Sequence, residues 1–266
     1  MKVPFRALVA LLFLLFAPAS AQACHWDSDT LAQEARGLPG VVEAIVGHYP
    51  LNPPQYYAMR LERVLPALEA DPTRLELYDD ASVAYDKLKR PSDAIAMMAR
   101  KRAALDAMPA DDPARLEHEY RYVANLGTHY AHLWLASDRT DLADLAMARD
   151  LIAKAIELNP EAHFGLEFVQ LRFLDALYRW HAYEAPFAHA EDRTVDNLYG
   201  FLCEIEGKSN EELLESYIGL MMLGEASRSV DVHAAIARLV AMQGHGSLTE
   251  LATLRIRELY REGRVS

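Results

Sequence analysis

Three histidines and an asparagine that could hold a metal or pass a proton fall within one stretch of this 266-residue chain: His118, Asn125, His129 and His132. His129 and His132 stand one helical turn apart, with His118 and Asn125 earlier on nearly the same face. Two histidines at that step can ligate a metal, given a third ligand and an open coordination position. Glu167 or His163, in the segment that follows, are placed to supply it. A metal-binding or hydrolytic site on His129, His132 and Glu167 is therefore one reading. Hydrogen-bonded or simply exposed histidines are the commoner outcome of such a pattern. No H-E-x-x-H helix, phosphate loop, G-x-S-x-G elbow or Cys-His nucleophile pair accompanies them. Asp27 and Asp29 form no metal loop either, since Thr30 with Gln33 is a capping box and acids before a helix start suit its dipole. Tyr178, Trp180 and Tyr183 could stack on a sugar, yet aromatic residues at helix ends are usually core or rim. The reading taken is a chain with no catalytic residues, no metal and no cofactor.

Two cysteines remain, Cys24 and Cys203, and the compartment decides their chemistry. Lys2 and Arg6 flank the start of an apolar run at residues 7–16 (ALVALLFLLF), and Ala21-Gln22-Ala23 supplies a small-x-small cleavage site. The run is shorter than the about 20 apolar residues a membrane span needs. Residues 1–23 are thus expected to be a signal peptide, and the protein to be exported to the periplasm or secreted. There a Cys24–Cys203 disulfide would close almost the whole mature chain. The rival is a lipid-anchored Cys24, against which Gln22 and Ala21 stand where a lipoprotein signal wants other residues. Cleavage removes Lys2 and Arg6 and makes the formal charge of −12 two units more negative. So acidic a surface repels nucleic acid and favours a partner with a basic or neutral segment.

The elements that position these residues are helices. Apolar content of 52% with 25% charge is the balance of a folded soluble chain, and alternating Val/Ile/Thr runs are absent. Helical periodicity recurs in a first helix broken by Pro39-Gly40 and then at residues 41–46, 52–70, 75–88, 94–105, 116–136, 142–158, 161–181, 194–206, 211–223, 230–242 and 248–260. An all-α fold of about ten to eleven helices follows. Leu116, Tyr120, Val123, Gly127, Tyr130 and Trp134 alternate steps of four and three without a miss. Pro66 interrupts the face made by Tyr57, Leu61, Val64 and Leu68, so a kink or early stop is expected there. Val195, Leu198, Leu202 and Ile205 face inward on the 194–206 helix, with Gly207 as its C-cap. The chain divides into an N-terminal helical segment (24–70), an array of helix pairs (71–243) and a last helix (244–266). Arg255, Arg257, Glu258, Arg261 and Glu262 suit that last helix to a solvated end cap.

Ala84-Tyr85, Leu88, Arg90, Ala94 and Ile95 in one pair, and Leu126-Gly127, Tyr130, Ala148, Ala155 and Asn159-Pro160 in the next, resemble the tetratricopeptide repeat, a helix pair of about 34 residues. The opening Cys24-x-Trp26-Asp27 is also similar to a group of exported bacterial repeat proteins. The chain departs from the pattern in the long turn between Tyr130 and Ala148, an insertion around 183–193, and Lys101 where a small residue is usual. The resemblance implies a right-handed α-solenoid whose first helices line a groove that binds proteins or peptides. It places Glu76, Asp79, Asp80, Val83 and Asp86 in that groove, then Arg121, Asn125, Thr128 and His132, then Phe164, Glu167, Phe168 and Leu171. Of the Lys and Asn that clamp a C-terminal carboxylate in one subgroup, only Asn125 is matched. The acidic cluster would favour a cationic segment, with Phe164 and Phe168 as an apolar pocket beside it; a merely solvated face is the alternative. The resulting expectation is a non-enzymatic binding adaptor of the bacterial cell envelope. A self-assembling scaffold, its last helix stacking on another copy, is the remaining option.

Overall fold

A computed structural model describes residues 40–49, 51–160, 166–182, 201–223 and 226–262. The signal segment, Cys24, His163, Phe164 and the start of the 194–206 helix lie outside them. Ten α-helices are described: α1 Val41–Val46, α2 Pro54–Ala70, α3 Leu75–Lys87, α4 Pro91–Asp106, α5 Arg115–Ala136, α6 Ala143–Leu158, α7 Leu166–Ala182, α8 Asn210–Leu223, α9 Val230–Met242 and α10 Gly246–Arg261. A short 3-10 turn, Ala226–Arg228, separates α8 from α9. The fold is all-α, with no strand among the described residues.

From α2 to α10 each helix packs against the next in chain order, and α3 also meets α5. Short polar connections leave consecutive helices little choice but to lie side by side. Gly127 shows how close the approach becomes: a Cβ there would stand 3.0 Å from Cγ1 and Cδ1 of Ile152 on α6. Leu145, Ala148, Ile152 and Trp134 then close the space between α5 and α6.

Three boundaries differ from the sequence expectation, the first being α4, which starts at Pro91 rather than at 94. Helix α2 does not stop at Pro66 but continues to Ala70. Pro66 is exposed and so is Glu62, so the carbonyl that loses its partner turns toward water, while Leu61, Val64 and Leu68 stay buried on the opposite side. The helical turn at 201–203, conversely, ends before Ile205, and Gly207 sits beyond it in a turn at φ 78°. Side chains take over the terminal carbonyls there: Tyr217 Oη donates to Leu202 O at 2.8 Å, and Arg172 donates to Phe201 O at 2.7 Å and Glu204 O at 2.9 Å. A capping box starts the next helix, with Ser209 N donating to Glu212 Oε2 at 2.8 Å and Glu212 N to Ser209 Oγ at 3.2 Å.

The first described helix meets the last ones. Helix α1 packs on α8 and α10, with Val41, Ala44 and Ile45 fully buried in the same core as Leu213, Leu239 and Leu248. Tyr49 Oη donates to Met221 O at 2.6 Å, and His233 lies between Ser229 O at 2.8 Å and Ile45 O at 3.3 Å. Helix α10 is therefore covered by α1 on one flank rather than facing solvent alone. Chain order did not suggest this, because six residues of α1 carry no signal of where they dock.

Candidate functional site

Helices α3, α5 and α7 carry most of the residues singled out in the sequence, and polar side chains bridge them in two successive steps. Between α3 and α5 the bridges start from two aspartates about two helical turns apart. Asp79 accepts two hydrogen bonds from Lys101 Nζ on α4, at 2.7 and 2.8 Å, and one from Asn125 Nδ2 on α5 at 3.1 Å. Lys101 is fully buried. Burial pushes the Asp79 carboxyl up despite the adjacent ammonium, and burial pushes the Lys101 ammonium down despite the adjacent carboxylate. Both move toward their neutral forms, so desolvation outweighs attraction in this pair.

Asp86 is buried, and its Oδ2 lies 2.7 Å from His132 Nδ1. Its Oδ1 lies 3.7 Å from His129 Nδ1, beyond a direct hydrogen bond. Burial raises the Asp86 carboxyl, but the hydrogen bond to His132 and the two imidazoles beside it outweigh that and hold the group well below the usual carboxylate range. Between α5 and α7, Tyr120 Oη donates to Glu167 Oε1 at 2.5 Å, and Gln170 Nε2 donates to Thr128 Oγ1 at 2.9 Å. Burial first, and then the Glu167 carboxylate, raise the Tyr120 phenol.

The outer members of the acidic series are solvent-facing: Asp80 lies 3.7 Å from Arg60, and Glu76 3.0 Å from Arg74. Glu76, Asp79, Asp80 and Asp86 therefore do not form one open acidic patch. The two inner carboxylates are committed to Lys101 and His132, and only the outer two face water. They are not merely a solvated face either, because Asp79 and Asp86 are structural bridges.

A cavity of about 220 Å³ opens between α5 and α7, closed at one side by α8. Leu135, Leu166, Phe173, Leu174, Leu177 and Leu220 form its apolar wall, and Asn125, Thr128, His132, Glu167 and Gln170 its polar one. Asn125, Thr128, His132 and Glu167, taken from the sequence as groove residues, meet here. The others do not. Arg121 pairs with Glu117 at 2.7 Å in solvent, Leu171 packs in the core around Trp134 and Ile152, and Lys208 Nζ sits 4.9 Å from the Phe168 ring. Val83 is half-buried on α3. The apolar pocket is made by Phe173 and leucines, not by Phe168.

The carboxylate that meets the two histidines is Asp86 rather than Glu167, which is held by Tyr120. Among the described residues no group of three or more His, Cys, Asp or Glu is arranged to hold a metal ion. Cys203 is buried and its thiol has no disulfide partner among the described residues, its expected partner Cys24 lying outside them. As a thiol it donates to Ala235 O at 3.6 Å, and burial pushes its pKa up to about 12, which makes it a poor nucleophile. No described helix is long and apolar enough to cross a membrane.

Sequence reasoning missed Lys101 and Gln170. Lys101 was visible only as a misfit to the repeat pattern. Gln170 lies three residues after Glu167 and four before Leu174, a spacing that puts it on the cavity face once Glu167 is placed there. Comparison with models of protein families, with curated proteins and with solved structures finds no match to this chain.

Proposed function

We propose that the chain is a binding adaptor without chemistry of its own, exported to the cell envelope, that anchors a protein or peptide partner in the cavity between α5 and α7. The observation that carries this is the cavity's make-up: a leucine-rich wall opposite a cluster of hydrogen-bonding side chains, the usual design of a site that holds one anchor group in a fixed orientation. The order in which helices pack, and the residues resembling tetratricopeptide repeats, support reading α3–α9 as a solenoid-like array with α3, α5 and α7 on its binding side. The formal charge of −12 favours a partner whose flanking segments are basic or neutral.

The test uses the immobilised protein against detergent-solubilised envelope. Leu177→Trp plugs the cavity from its apolar wall, whereas Met147→Trp alters an exposed position on α6 that is 46% accessible. A partner retained by the parent and by Met147→Trp, and lost from Leu177→Trp at unchanged helicity, supports the proposal. Retention by all three proteins refutes it.

A further inference from the structure

We infer that the cavity between α5 and α7 takes a tryptophan side chain of the partner, its indole N–H donated to Nε2 of His132. This rests on the adaptor reading above and goes beyond it by naming the anchor. The first ground is the tautomer that the contact with Asp86 imposes on His132. Asp86 is acceptor-only when ionised, and its Oδ2 lies 2.7 Å from His132 Nδ1, so Nδ1 carries the proton. In the neutral ring Nε2 is then a lone pair, and it has no partner among the described residues.

The neighbouring polar groups point the same way. Gln170 spends an amide hydrogen on Thr128 Oγ1 at 2.9 Å, Thr128 spends its hydroxyl on Ala124 O at 3.0 Å, and Asn125 spends an amide hydrogen on Asp79 at 3.1 Å. What these side chains keep for an incoming molecule is weighted toward acceptors. A donor-bearing ligand complements such a wall.

Size and polarity narrow the donor. The cavity measures about 220 Å³, room for one large side chain and not for two. Among the described residues its remaining surface is apolar, chiefly Leu135, Leu166, Phe173, Leu174, Leu177 and Leu220, which strips water from whatever packs against it. A lysine would bury a charged ammonium against leucines, a phenylalanine would leave His132 Nε2 dry and unpaired, and a tyrosine would bring an acceptor as well as a donor. Indole offers a large apolar body and a single N–H that can only donate.

The probes are N-acetyl-tryptophanamide and N-acetyl-phenylalaninamide, titrated calorimetrically into the full chain. The tryptophan amide should bind about tenfold more tightly, the worth of one net hydrogen bond. His132→Phe should erase that preference, while His132→Gln, which keeps an acceptor, should retain part of it. A second readout needs no variant: the imidazole ¹⁵N resonance of His132 Nε2 should shift with the tryptophan amide and not with the phenylalanine amide. Equal binding of the two amides overturns the indole assignment and leaves the cavity reading standing. A preference that survives His132→Phe also overturns it, since the donor must then go elsewhere. Binding of neither amide overturns the cavity as a side-chain site altogether.

Discussion

Replacing Lys101 with Met tests whether the buried ion pair is understood. Lys101 is fully buried, and its ammonium places two hydrogen bonds on Asp79, whose side chain is 14% exposed. Met matches the lysine stem in length and removes only the charged head. The carboxylate of Asp79 then keeps Asn125 but loses its counter-ion in a largely dry site. Breaking one side of a buried pair costs roughly 3–5 kcal/mol. Replacing both partners behaves differently, because Asp79 and Lys101 are each already pushed toward neutrality by burial. Asp79→Leu with Lys101→Met should return stability to within about 1 kcal/mol of the parent, since apolar groups of similar volume need no solvation. The sign with pH follows. Without Lys101 the carboxyl's folded pKa rises further above its unfolded value of about 3.9, so the penalty is full at neutral pH and fades as pH falls toward that value. Guanidinium unfolding of the four proteins, followed by helical circular dichroism at pH 7 and pH 5, supplies the cycle. A Lys101→Met loss below about 1 kcal/mol, the worth of a surface pair, would refute the argument. So would a double variant as weak as the single.

Further outcomes follow from single contacts. Asp86 has a depressed folded pKa, so the stability it contributes is present above the unfolded carboxylate value of about 3.9 and is lost as pH falls below it. Asp86→Asn should cost about 1–3 kcal/mol at pH 7, and urea midpoints should show the gap from the parent closing toward pH 3. Gly127→Val should destabilise by about 2 kcal/mol or more, because Ile152 is fully buried and stands 3.0 Å from the first added carbon; Ile152→Ala in the same chain should recover part of the loss by thermal unfolding. Cys203, with its thiol pushed up to about 12 and buried, should resist iodoacetamide in the native protein and react in denaturant, as peptide mass mapping would show.

The helices were legible because their signals are local. The four-and-three spacing from Leu116 to Trp134 fixes α5, and Pro53-Pro54 marks the start of α2 whatever lies around it. The cavity was half legible. Asn125, Thr128, His132 and Glu167 share faces that helical spacing predicts, but whether such a face meets water or another helix depends on packing across the chain. Asp86 illustrates the limit: one aspartate among several on an amphipathic helix, it becomes a buried partner of His132 only because α5 lies against α3. Lys101 failed in the opposite sense, since a lysine on a repeat's second helix reads as solvent-facing until Asp79 is found within its reach. The seat of α1 on α8 and α10 was not legible at all, because a six-residue helix with apolar residues nearly all round fits many surfaces.

The central claim is that the space between α5 and α7 receives a group from another molecule. A photo-activatable leucine analogue at Leu177, close to leucine in size so that the cavity stays open, and the same analogue at Met147, exposed on α6, test it in cells that make the protein. The account predicts one discrete ultraviolet-dependent adduct at position 177, absent at 147 and lost when His132 is also changed to Phe. Identical patterns from the two positions, or no adduct at 177 in a folded protein, would contradict it.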